Sequence, residues 1–161
     1  MIISKRFLLR PLVLDDVNQN YLSWLNPDIN NFIEYANSNV SMKALKSYIS
    51  ERKNRQDILF LGIFSKGGRH IGNIKYEPID YDKKTAVMGI LIGNSDWRGK
   101  GVAREVIKAS GKYLFDKYGI STILLGVSKN NKAAISAYQK IGFKMDNAVD
   151  YYKKSFSLDR F

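Results

Sequence analysis

The chain has 161 residues, 45% of them apolar, and carries a formal charge of +11. That is enough chain for one domain with a real core, and no stretch approaches the roughly 20 apolar residues of a membrane span. The absence of cysteine excludes disulfides, thiolate metal sites and a cysteine nucleophile. The start Met1-Ile2-Ile3-Ser4-Lys5-Arg6 has no signal-peptide core, so a cytoplasmic protein is expected.

Phe7 to Leu12 alternates apolar and basic residues and reads as a first strand, which Pro11 confines to an edge or a strand end. Asp15 and Asp16 open a helix carrying Tyr21, Leu22, Trp24 and Leu25, and Asn26-Pro27 ends it. Ser41 caps a second helix that runs to about Arg55. Ile58 to Phe64 is a buried strand, followed by the turn Ser65-Lys66-Gly67-Gly68 and a strand from His70 to Glu77. Ala86 to Ile92 is a long strand, and a helix from Ala103 to Tyr118 follows a glycine-rich turn. Thr122 to Ser128 is rich in β-branched residues, a helix capped by Asn130 or Asn131 comes next, and Phe143 to Met145 and Tyr151 to Leu158 close the sheet. There is no internal repeat and no low-complexity linker, so residues 1–161 are expected to form a single domain.

Two runs carry chemistry. The first is Trp97-Arg98-Gly99-Lys100-Gly101-Val102-Ala103, set between a strand and a helix. The amides that open a helix have no intrahelical partner, and with the positive end of the helix dipole they form a seat for a phosphate or diphosphate. Gly99 and Gly101 let the backbone approach such an anion, while Arg98 and Lys100 add positive charge. A plain turn has the same local sequence, so this run needs company. The second run, Asn131 to Phe143, has an apolar stripe at Ala134, Ile135, Tyr138 and Ile141 and a helix-ending Gly142. Alone it is equally an ordinary amphipathic helix with Tyr138 in the core.

In that order and separation, the R-x-x-G-x-A run at Arg98, Gly101 and Ala103 and the N-x-x-A-I-x-x-Y-x-x-x-G-F run from Asn131 to Phe143 resemble the GNAT superfamily of acetyl-CoA-dependent N-acetyltransferases. The resemblance covers nearly the whole chain. It implies an α/β (α+β) fold: a mixed, mostly antiparallel sheet of six to seven strands flanked by about four helices and splayed at its central parallel strands. It implies acetyl-CoA as donor, with no metal. Backbone groups around Met88, Ile90 and Ile92 would hold the pantetheine arm and thioester. Amides of Gly99, Lys100, Gly101, Val102 and Ala103, beside Arg98, would take the diphosphate, and Asn131 would bond the pantetheine amide. Tyr138 would give a proton to the departing thiolate, which suits a phenol that titrates near ~10. Gly89 fits a bulge or a close approach, or is a glycine that merely packs.

The general base is less well marked. Many members of the family carry a carboxylate five residues before the motif asparagine or in the strand before the loop. Here those places hold Gly126 and the acid-free run Ala86 to Gly93. Glu77, Asp80 and Glu34 are the candidate bases that remain, or a water relay replaces them. His70, the one histidine, directly follows a hairpin turn and is expected to be exposed or to pack.

The acceptor is expected to meet the N-terminal third, where Tyr21 to Tyr35 is rich in aromatics and amides, although Trp24 and Leu25 on a helix face also fit a core. The opening Phe7 to Leu12 with Asp15-Asp16 resembles the branch of ribosomal-protein N-terminal and amino-sugar acetyltransferases. A strongly basic protein attracts an anionic acceptor, or one in an anionic setting. A nucleotide-linked amino sugar or a protein N-terminus therefore ranks ahead of a polyamine or other small amine, and a non-catalytic acyl-CoA sensor is the alternative from another class. Neither a membrane nor nucleic acid is expected as a partner, since the chain has no zinc ligand set and no helix-turn-helix pattern. Monomer or homodimer is expected, with the Tyr151 to Leu158 strand as the pairing edge.

Overall fold

The computed structural model describes residues 1–25, 40–149 and 153–159. Its strands are β1 (Ile2–Ile3), β2 (Phe7–Pro11), β3 (Leu59–Ser65), β4 (His70–Asp80), β5 (Thr85–Ile92), β6 (Thr122–Ser128), β7 (Lys144–Val149) and β8 (Lys153–Asp159). They form one sheet in the order β1-β2-β3-β4-β5-β6-β8-β7. Every neighbouring pair is antiparallel except β5 and β6. The eighth strand, one more than the sequence reading, is β1, whose two residues are too short to show a period. β8 lies between β6 and β7, so both its edges are occupied and the expected dimer edge at this strand is not available; the outer strand is β7.

Helices cover both faces. α1 (Gln19–Trp24) and α2 (Met42–Arg52) pack through Tyr21, Trp24, Leu45 and Ile49 on one side. α3 (Val102–Tyr118) buries Val106, Ile107 and Leu114 against Ile74, Tyr76 and Ile123 on the other. α4 (Lys132–Ile141) packs on that second core through its half-buried stripe. A polar tie inside it is closed: Tyr76 donates to Ser110 Oγ at 2.8 Å, and Ser110 donates to the Val106 carbonyl at 2.7 Å. Among the described residues no helix is long and apolar enough to cross a membrane.

The helix expected to open at Asp15-Asp16 begins later. Asp16 accepts from the Arg10 guanidinium at 2.8 and 2.9 Å and from the Val13 amide at 2.8 Å, which holds Leu14–Asp16 as a separate 3-10 turn. Asn18 then caps α1 by accepting from the Tyr21 amide at 2.9 Å. Ser41 caps α2 as read, but α2 stops at Arg52 because Arg55 turns to Asp57 at 2.7 and 3.0 Å.

The feature that matters most lies at the centre. β5 pairs with β4 along its length, from Asp80↔Thr85 to Gly72↔Ile92. It pairs with β6 only at Thr85, Ala86 and Val87. β6 meanwhile keeps β8 from Thr122 to Ser128. The parallel strands thus part after Val87, the splay that was expected. The bulge is not at Gly89, however. The register shift lies in β4 between Tyr76 and Ile79, opposite Val87, where Glu77 and Pro78 face one residue of β5.

Gly93, just past β5, is buried beneath the Trp24 ring, and a Cβ there would fall 1.9 Å from Trp24 Cδ2. Overpacking of this kind costs about 1–3 kcal/mol. Gly93→Ala should therefore lower the thermal midpoint by roughly 2–4 °C for each kcal/mol lost. An unchanged midpoint by circular dichroism would mean that Trp24 is not seated there.

Candidate active site

The hydrogen-bond pattern of β5 decides which of its groups face the gap. Gly93 donates to the Ile71 carbonyl at 3.0 Å, so Asn73–Leu91 and Lys75–Gly89 are the hydrogen-bonded pairs. Met88, Ile90 and Ile92 occupy the alternate pairs, and their main-chain groups turn away from β4 toward β6. Arg98 Nε takes the Ile92 carbonyl at 3.1 Å from that side, as this geometry requires. The Met88 side chain is buried and those of Ile90 and Ile92 are half-buried, so these residues offer backbone rather than side chain.

The loop after β5 is built on two left-handed glycines, Gly99 at φ 71° and Gly101 at φ 73°. A side chain at either would be strained. No side chain caps α3, whose first internal bond runs from the Glu105 amide to the Gly101 carbonyl, leaving the amides of Val102, Ala103 and Arg104 at the mouth of the loop. Gly99, Lys100 and Gly101 are exposed. Arg98, though exposed, braces the loop with its guanidinium on the Ile92 and Gly93 carbonyls.

A residue that sequence reasoning missed brings a charge close to Gly101. Arg6 donates through Nε to Glu105 at 2.7 Å and through NH1 to the Lys100 carbonyl at 3.0 Å. Its NH2 lies 3.8 Å from where a Gly101 Cβ would be. Glu105 also accepts from the Arg6 amide at 2.6 Å and from Ser4 at 2.7 Å. Partial burial works to raise the Glu105 pKa, but the hydrogen bonds from Ser4 and Arg6 outweigh it and hold the carboxyl below its ordinary range. No motif links positions so far apart in sequence, so the only signal was a lone arginine before β2.

On the other side of the gap, α4 follows β6. Of the two asparagines, Asn131 is the cap: its Oδ1 accepts from the Ala134 amide at 3.2 Å, which leaves its amide NH2 as the group for a ligand. Ala134, Ile135, Tyr138 and Ile141 pack on the core as the stripe requires. The Tyr138 ring meets Phe143 edge-on with centroids 5.7 Å apart. Burial pushes the Tyr138 phenol above its ordinary pKa, and no hydrogen bond from its hydroxyl is made among the described residues.

The acids named as bases are engaged elsewhere. Glu77 accepts from Arg52 at 2.9 Å and lies 3.1 Å from Lys75; burial would raise its pKa, but these two cations hold it low. Asp80 accepts from the Asp82 and Lys83 amides and so fastens the β4–β5 turn. Glu34 lies outside the described residues, as does all of the Tyr21 to Tyr35 acceptor surface beyond Leu25. In the described part of that surface Tyr21, Trp24 and Leu25 are core, while Leu22 is half-buried and Ser23 exposed. Gly126 is exposed on β6. His70 packs among Phe64, Trp24 and Tyr21 with ring centroids at 4.8, 4.9 and 5.2 Å, and its Nε2 donates to Asn73 at 2.8 Å.

The fold is thus a sheet unzipped between two parallel strands, with a glycine loop feeding a helix on one side and a tyrosine-bearing helix on the other. The sequence matches the acetyltransferase (GNAT) domain over residues 6–144, and the chain belongs to that family. Among curated relatives, the spermine/spermidine N(1)-acetyltransferase of Bacillus subtilis strain 168 is 33% identical over 55 residues, which is 34% of this chain and 36% of the relative. The chain thus aligns with little more than a third of that relative's length. The microcin C7 self-immunity acetyltransferase MccE, in complex with acetyl-CoA and AMP, superposes with a TM-score of 0.82 at 19% identity, covering 97% of this chain and 93% of its own. RimL, the ribosomal L7/L12 α-N-protein acetyltransferase in complex with coenzyme A, gives 0.83 at 14% identity, with 98% and 96% covered.

The His70 environment carries a prediction of its own. Burial lowers the pKa of the ring below 6.5, against the opposing effects of the Asn73 hydrogen bond and of Asp16. The unfolded chain takes up this proton first, so stability is complete above about pH 6.5 and drains as pH falls toward the folded value. The urea midpoint should drop between pH 7.5 and 5.5, and His70→Gln should flatten that slope. An unchanged slope in the variant would place the titration elsewhere.

Proposed function

We propose that this chain transfers an acetyl group from acetyl-CoA to an amine. The observation that carries the proposal is the parting of β5 from β6 beside the Gly99–Gly101 loop. It provides unpaired backbone for an amide-bearing arm and, at its end, helix amides with Arg6 and Lys100 for a diphosphate. Acetyl-CoA supplies the acetyl group as a thioester. The neutral amine attacks the carbonyl carbon, a C–N bond forms and the C–S bond breaks. The departing sulfur takes the Tyr138 proton, the new ammonium loses one to solvent, and solvent returns one to the Tyr138 phenolate. Main-chain amides of β5 that face the gap are placed to stabilise the developing oxyanion. No metal is needed. With Glu77 and Asp80 engaged, the amine's proton leaves through water rather than to either carboxylate.

The acceptor is an amine that carries, or sits among, negative charge: a nucleotide-linked amino sugar or a protein N-terminus. The charge of +11 supports this class. RimL acts on a protein N-terminus, and MccE was obtained with AMP beside acetyl-CoA. A polyamine acceptor is the second reading, favoured by the Bacillus subtilis relative.

Tyr138→Phe should lower kcat by about 10²–10³, in the range of a lost general acid, while coenzyme A affinity stays within about twofold. In the wild type the alkaline limb of the pH profile should lie above the ordinary phenol value, because burial raises the Tyr138 pKa. Full turnover in the variant would remove Tyr138 from the reaction. Absence of coenzyme A binding to the wild type would overturn the function itself.

A further inference from the structure

Lys75 stands directly opposite Gly89 in the β4–β5 register, so the two share one face of the sheet. It is the face under α2, because Tyr48 and Arg52 of that helix meet Lys75 and Glu77 there. Ile74 and Tyr76 turn to the other core. Among the described residues, a Cβ on Gly89 would meet no atom within 4 Å, so these residues leave the ground beside Lys75 open just where β5 leaves β6.

The side chains around this opening are fixed. Arg52 Nε donates to Glu77 at 2.9 Å, and Lys75 Nζ lies 3.1 Å from the same oxygen while donating to the Tyr48 hydroxyl. The Arg52 guanidinium lies 3.5 Å from the Tyr48 ring centroid. Side-chain exposure is 28% for Lys75, 19% for Arg52 and 22% for Glu77. Among the described residues, two cations therefore share one carboxylate in a partly dehydrated cluster. Glu51 approaches Arg52 only to 3.9 Å and is 73% exposed, where water screens it, and Asp57 is taken by Arg55. An excess positive charge away from bulk water is costly unless an anion meets it. Of the three Lys75 N–H donors, two are directed to Tyr48 and Glu77, which leaves one for a ligand.

We propose that the open ground over Gly89 is an oxyanion subsite, where Lys75, held by Glu77 and Tyr48 and backed by Arg52, receives a phosphate or carboxylate borne by the acceptor. The anion anchors the molecule on the α2 face and directs its amine at the gap between β5 and β6. This rests on the acetyltransferase reading above and makes Lys75 its specificity-determining residue. Among the described residues this cluster has no free acidic lining of the kind a polyamine would need, because its inner carboxylate, Glu77, is already shared by two cations.

The test is equilibrium binding to the protein saturated with coenzyme A, using two matched pairs. One is glucosamine 6-phosphate against glucosamine; the other is an amidated Ser-Asp dipeptide against Ser-Asn. In at least one pair the anionic member should bind at least about tenfold tighter, and which pair does so distinguishes phosphate from carboxylate. Lys75→Met should abolish the preference and Lys75→Arg should keep it, both with unchanged coenzyme A affinity. Equal binding within both pairs, no binding of any member, or a preference that survives Lys75→Met would overturn the subsite. Spermidine binding that exceeds all four probes and weakens in Glu77→Gln would overturn it too. Failure of the wild type to bind coenzyme A would instead strike the acetyltransferase reading on which the subsite rests.

Discussion

A strand that is zipped on one side and open on the other organises this molecule. β5 satisfies β4 along its length and abandons β6 after Val87, so the backbone of Met88 to Ile92 is rigid yet has groups turned to a gap. Unpaired peptide groups away from water are costly, and a sheet leaves them only where something else can meet them. The bulge in β4 opposite Val87 is the local cause on one flank. On the other flank, β6 is held by β8 and follows that strand away from β5.

Everything near the gap serves to hold its two lips. Arg98 ties the loop to the end of β5, and Arg6 with Glu105 ties the start of β2 to the first turn of α3. Half-exposed ion pairs of this kind contribute at most about 1 kcal/mol to stability. Their worth here is positional, since they fix Lys100, Gly101 and the open amides of α3 relative to β5. Asn131 does the same for the opposite lip by capping α4, and the packed stripe of that helix keeps Tyr138 at a constant depth. Lys75 and Arg52, on the α2 face, add a charge that the described residues do not fully neutralise.

Much of this was legible in the chain. Gly99 and Gly101 announced a turn where backbone can approach an anion, and the 131–143 run carried a cap, a 3.6-residue stripe and a terminating glycine together. Periodicity located seven of the eight strands, because alternation and apolar runs are local. What stayed hidden was set by contacts distant in sequence. Asp16 looked like a helix opener until Arg10 claimed it. Gly89 fitted a bulge, a close approach or mere packing, while the extra residue sat at Glu77 and Pro78 on the neighbouring strand, and register is a property of two strands rather than one. Glu77 and Asp80 looked like free carboxylates because sequence does not show Arg52, Lys75 or the turn amides that occupy them. Arg6 carried no motif at all.

The central claim is that the unzipped length of β5 and the loop after it bind one extended ligand together. Hydrogen exchange with and without acetyl-CoA tests it most directly. The account predicts that peptides covering Met88 to Ile92 and Gly99 to Arg104 gain protection in step as acetyl-CoA saturates, while β2 and β3 exchange as before. Protection confined to other segments, or none at saturating acetyl-CoA, would contradict it.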